Sequence, residues 1–159
     1  MRQTFLFFMA VLLLMACATT KQQADQREQK ARQVAEAIQR RHLRVDVSSM
    51  NTLRYGSHNI TSDFYLELRG DTLVSYLPFF GQAYHSAAYG SPTQGLNFTS
   101  AVEELTETHH KRGMTRLEFL VRSDEDRYQY RLEIFPNGQT YIHVHGLSRD
   151  PVSFYGMCE

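Results

Sequence analysis

Apolar and polar residues along this chain change rhythm twice. Phe5 to Leu14 is an unbroken apolar run. From about Gln22 to Arg41, Ala31, Val34, Ala35 and Ile38 recur at helical spacing and no Gly or Pro interrupts. Glu28–Arg32 and Glu36–Arg40 stand four apart, acid first, the order that supports a helix face. The spacing predicts one helix, about 30 Å long for about 20 residues. Its stripe is thin and alanine-rich, so it packs lightly on a domain or stands as a stalk.

From His42 onward the period is two. Leu43, Val45 and Val47 alternate with Arg44, Asp46 and Ser48, a first strand. Asn51 to Ser62 is polar, contains Gly56 and reads as a loop. Phe64, Leu66 and Leu68 alternate with Tyr65, Glu67 and Arg69, and Gly70-Asp71 suits a two-residue hairpin turn. That turn sets Leu68 opposite Leu73 and Phe64 opposite Leu77, with Pro78 ending the strand. Leu96 to Thr108 gives one further strand or a pair. Leu117, Phe119 and Val121 face one way, Asp124-Glu125 turns the chain, and Tyr128, Tyr130, Leu132 and Ile134 face the same way again.

The turn at Pro136-Asn137-Gly138 can be decided on energy. A two-residue loop pairs Ile134 with Tyr141 and Leu132 with His143, setting aliphatics beside a polar face. A three-residue loop with Gly138 left-handed pairs Ile134 with Thr140 and Leu132 with Ile142. A one-residue slip turns a whole apolar face into water, so the three-residue loop wins. Val152, Phe154 and Tyr155 form a short final strand. The sum is mainly β: one helix, then about seven or eight antiparallel strands joined mostly by hairpins. Closure removes exposed edges, which favours a strongly curved sheet or small up-and-down barrel. The alternative is a two-sheet sandwich.

The first apolar run is too short for a permanent span, which needs about 20 residues. Arg2 before it and Leu14-Met15-Ala16-Cys17 after it describe a secretory signal ending in what resembles a bacterial lipoprotein box. This divides the chain into a signal (1–16), a lipid-anchored linker and helix (17–41) and an antiparallel β domain (42–159). Cys17 would carry diacylglycerol and an amide-linked chain such as palmitate; two or more chains anchor stably. Ala18 follows, and by analogy the protein belongs in the bacterial cell envelope, at the outer membrane facing the periplasm. Lys plus Arg and Asp plus Glu are 17 each, so no strong field draws nucleic acid. Cys158 is the remaining cysteine, an idle thiol with no bridge available if Cys17 is lipidated.

Gly70 through Tyr84, with Tyr76-Leu77-Pro78-Phe79-Phe80-Gly81 its most specific stretch, then Tyr89-Gly90 and Gly95-Leu96-Asn97-Phe98, resemble a known signature. It is the central signature of the domain of unknown function 4251 family of small Bacteroidetes envelope lipoproteins. Phe135-Pro136-Asn137-Gly138, Ser153-Phe154-Tyr155-Gly156 and the order lipobox, charged helix, β domain resemble it too. The resemblance implies a β-rich, lipocalin-like topology and carries over no catalytic residue.

Several groups are candidates for chemistry. His143 and His145 leave one strand face and form a weak metal pair; Arg131 opposite His143 and Gln129 opposite His145 oppose a divalent ion, so no metal or other cofactor is expected. His109-His110-Lys111-Arg112-Gly113 reads as a basic turn, either solvated or meeting phosphate groups. Phe79, Phe80, Tyr84 and Tyr89, with Gly81, Gly90 and Gly95, make an aromatic–glycine loop. It either plugs the domain or binds a ligand or partner. No nucleophile elbow, phosphate loop or HExxH appears. The expected function is non-enzymatic: a membrane-tethered β domain binding a small ligand, a glycan or an envelope protein. A structural or assembly role at the outer membrane is the alternative, and an envelope hydrolase the weaker one.

Overall fold

Hydrophobic alternation with a period of two, carried through strand after strand, bends one sheet until its two ends meet. The computed structural model describes residues 22–79 and 95–159. Helix α1 covers residues 22–39. The strands are β1 His42–Thr52, β2 Gly56–Asn59, β3 Tyr65–Arg69, β4 Thr72–Leu77, β5 Leu96–His109, β6 Thr115–Arg122, β7 Arg127–Ile134, β8 Gln139–Gly146 and β9 Val152–Cys158. All pairings are antiparallel and run between neighbours, and β9 returns to pair with β1. Eight strands thus close a barrel, and β2 is an extra strand beside the far half of β1. The sandwich alternative is excluded by that closure.

The registers follow the side-chain pattern. Leu68 lies opposite Leu73, Ile134 opposite Thr140 and Leu132 opposite Ile142, as alternation and turn chemistry required. Gly138 sits at φ +87° in the three-residue turn, a conformation glycine takes without penalty. The β3–β4 ladder stops at Tyr65 and Tyr76, one pair short of the expected Phe64–Leu77. There the Phe64 carbonyl accepts from the Val47 amide instead, at 2.9 Å.

Two bulges changed the reading. β1 continues past Ser48 to Thr52 because its register shifts between Val47 and Ser49. The inward set passes from Leu43, Val45 and Val47 to Met50 and Thr52, all buried. The expected loop at 51–62 is therefore partly strand: residues 53–55 turn the chain and β2 pairs back onto β1. β5 is one strand whose register shifts between Glu103 and Thr106, with Glu104 at φ +56°. Its core-packed residues step from Phe98 and Val102 to Leu105.

Among the described residues, large side chains pack the barrel lumen. Tyr128, Tyr130, Phe119, Phe154 and Met50 are among its largest fully buried side chains. Phe119 stacks on Tyr130 with centroids 5.5 Å apart. The Tyr130 hydroxyl lies 3.2 Å from Ser75 Oγ, which donates to the Leu96 carbonyl at 2.6 Å. Ser75 has spent its proton, so Tyr130 donates, and burial pushes the Tyr130 phenol well above its usual range.

Helix α1 packs on the barrel and is not a free stalk. Val34 and Ile38 join the buried core, and each such burial contributes about 1.5–3 kcal/mol. They share a recess with Ile134, Phe135 and Pro136 at the barrel end that holds the β7–β8 turn. Lys30 Nζ donates to the Cys158 carbonyl at 2.9 Å across the same end. The paired charges Glu28–Arg32 and Glu36–Arg40 form on the exposed face, at 2.6 and 3.3 Å.

Candidate functional site

Alternation leaves every second strand residue outside, so the outer face is where the fold can display chemistry. The bulge in β1 turns Ser49 and Asn51 outward. The register then builds two rungs across four strands. Ser57 of β2, Asn51 of β1, Ser153 of β9 and His143 of β8 stand in one rung. Asn59, Ser49, Tyr155 and Tyr141 stand in the next. His143 Nδ1 and Ser153 Oγ share a hydrogen bond of 3.0 Å, and the Tyr141 and Tyr155 rings lie 5.2 Å apart. Most of these residues, with the first rung entire, line an open cleft of about 470 Å³.

Among the described residues no Asp, Glu, Lys or Arg lines that cleft. Charges elsewhere on the outer face are paired with one another. Arg131, opposite His143, is held by Glu118 at 2.5 Å, and Arg116 by Glu133 at 2.9 Å. Arg44 bonds Asp46 at 2.8 Å and lies over the Tyr65 ring at 3.9 Å. Glu67, expected on the solvent side, is buried at 7% exposure; two bonds of 2.6 Å from the Arg69 guanidinium hold its carboxyl below the usual range. That pair is structural and lies on β3, away from the cleft.

The residues singled out in the sequence fall in different places. Phe79 is buried at 7% exposure, and the Arg149 guanidinium of the β8–β9 turn lies 5.2 Å over its ring. It packs against the core at the barrel end opposite α1. Phe80, Tyr84, Tyr89 and Cys17 lie outside the described residues. His143 and His145 do share a face opposite Arg131 and Gln129. Among the described residues no group of three or more His, Cys, Asp or Glu gathers to hold a metal. His109 ends β5, and residues 110–113 form the turn before β6, all exposed. The cleft itself was missed apart from His143. Its signal was the outward set of the last two strands, Tyr141 and His143 against Ser153 and Tyr155, where a solvent face usually carries charge.

Cys158 is part of the core at 1% exposure, and burial pushes its thiol up. A reactive cysteine needs an accessible thiolate. Iodoacetamide at pH 8 is therefore expected to leave Cys158 unmodified in the folded protein and to label it once urea unfolds the chain. Labelling at equal rates in both states would show that β9 frays from the barrel.

Together these features define an up-and-down β-barrel with a packed core, a helix docked at one end and a cleft of uncharged residues on its outer face. A family model described as Domain of unknown function (DUF4251) matches residues 25–158, and the chain belongs to that family. It is similar to a solved structure, a DUF4251 family protein from Bacteroides eggerthii DSM 20697. The two share 12% identity over 82% of this chain and 87% of that one, with a TM-score of 0.62, which shows the common fold. No curated protein matches.

Proposed function

We propose that this chain is a lipoprotein of the bacterial cell envelope, tethered through Cys17, whose barrel is a non-enzymatic binding module working from its outer surface. The observation that carries this reading is that, among the described residues, large side chains pack the lumen, with α1 docked at one end and Phe79 buried at the other. A carrier of the lipocalin kind needs an empty barrel. This one keeps the topology and gives the interior to packing, so binding falls to the outer face and to the segment between β4 and β5. The order of apolar run, Ala16 and Cys17 supports the anchor and with it the envelope. The best site for it is the outer membrane, facing the periplasm.

Mass spectrometry of the mature N-terminus tests the tether. A peptide beginning at Cys17 with diacylglycerol on sulfur is expected, and Cys17→Ser should move the protein from the membrane to the soluble fraction. An unmodified Cys17 thiol in membrane-fraction protein would overturn it. An assembly role is favoured by one feature: β2 pairs only with β1 among the described residues, leaving an outer edge that another strand can join.

A further inference from the structure

We propose that the cleft over β2, β1, β9 and β8 is a binding site for a short, uncharged glycan. The inference rests on the binding-module reading and names its ligand and its place.

The two rungs differ in chemistry while lying side by side. Ser57, Asn51, Ser153 and His143 offer hydroxyl, amide and imidazole groups in a row. Tyr155 and Tyr141 set two rings beside the end of that row, and Tyr141 is 43% exposed. A sugar ring presents the matching pair of surfaces, a rim of hydroxyls and a face of C–H groups that packs on an aromatic ring. The size agrees: about 470 Å³ falls in the range of about 300–1,000 Å³ found for small-molecule sites.

Three other ligand classes fit poorly. An anionic ligand needs cations, and among the described residues the cleft lining holds no Lys or Arg. A strand-adding peptide needs free backbone groups. Here β1 lies between β2 and β9, β9 between β1 and β8, and β8 between β9 and β7, so across the cleft floor the ladders are already satisfied, and a strand added at the outer edge of β2 would lie beside the cleft rather than in it. An acyl chain needs a dry slot, and it would strip water from the polar groups of Ser57 and Asn51 without replacing it. A neutral polyol uses the hydroxyls and amides and strands no charge.

The test is a printed array of neutral oligosaccharides, N-acetylated and plain, beside sialylated and sulfated ones, probed with the full-length chain in detergent. Neutral glycans are expected to be retained and acidic ones not. Tyr141→Ala and Asn51→Ala should each lower retention roughly tenfold, the loss of a ring contact or a well-placed hydrogen bond. Tyr76→Ala, which removes an equally exposed tyrosine from β4 (44% against 43%), should leave it unchanged. Unchanged melting temperatures separate lost binding from lost folding. The proposal is overturned if no neutral glycan is retained, if acidic glycans are preferred, or if retention survives both cleft substitutions at unchanged stability. An empty array beside a lipidated Cys17 removes the glycan and spares the tether; retention by a chain with a free Cys17 thiol does the reverse.

Discussion

Gly156→Ala is expected to lower stability by about 3 kcal/mol or more and the melting temperature by about 10 °C. Gly156 lies on β9 where it meets β1. A Cβ built there would stand 2.2 Å from the Asp46 carbonyl oxygen and 3.0 Å from its carbon. Both are backbone atoms, so no rotamer change relieves the contact. The seam must part, and it is the seam that closes the barrel, running from Val45–Cys158 to Thr52–Val152. Gly156 does not take a positive φ, so space alone demands the glycine. Gly70 provides the contrast: its φ is +61° but nothing lies within 4 Å of its added Cβ. Gly70→Ala should cost only about 1 kcal/mol, from backbone conformation. Differential scanning calorimetry of both variants checks the pair. A Gly156→Ala protein melting within about 2 °C of wild type would mean that the strands do not approach so closely.

Tyr130→Ala is expected to cost about 4 kcal/mol, while Tyr130→Phe costs about 1 kcal/mol. Tyr130 is fully buried, stacked on Phe119 and edge-on to Tyr128 at 6.4 Å. Truncation opens a cavity in the middle of the lumen, and a closed barrel collapses poorly because every strand is held on both sides. Removing only the hydroxyl leaves Ser75 donating to Leu96 as before, so no buried donor is orphaned. Urea denaturation with an unchanged slope reads both values. If Tyr130→Phe proved as costly as Tyr130→Ala, the hydrogen bond to Ser75, rather than packing, would be holding the lumen together.

Hairpins were the most legible part of this chain. At Gly70-Asp71 and Pro136-Asn137-Gly138 the turn residues and the alternation on both flanks point to one register, since a slip exposes an apolar face. The bulges were illegible for a matching reason. A bulge inserts one residue and reverses which parity faces inward. At Ser48 the apolar set moves from odd to even positions, so the simple alternation ends there. At Glu104 it moves from even to odd, which blurred one strand into an uncertain pair. Glu67 keeps its outward place in the alternation, opposite Arg44, but its neighbours, Arg69 first among them, cover it.

The candidate sites divide along the same line. His143 was visible because histidine is rare and its spacing from His145 is local. Ser49, Asn51 and Ser57 carried no signal, being ordinary polar residues in a stretch that reads as loop. They become part of a surface only after the β1 bulge turns two of them outward and β2 folds back beside them.

The amino-acid sequence alone determined the family, the helix, the strand class and the hairpin registers. These rest on local contacts: turn chemistry, spacing on one element, and pairs a few residues apart. Tertiary structure alone decided the closure of β9 on β1, the docking of α1 across one end, the packing of the lumen and the outer cleft. Each of these joins residues separated by most of the chain, as in Asp46 with Met157 or Asn51 with Ser153. Such contacts are chosen by which surfaces fit once the sheet has curled, and one-dimensional periodicity does not record that fit.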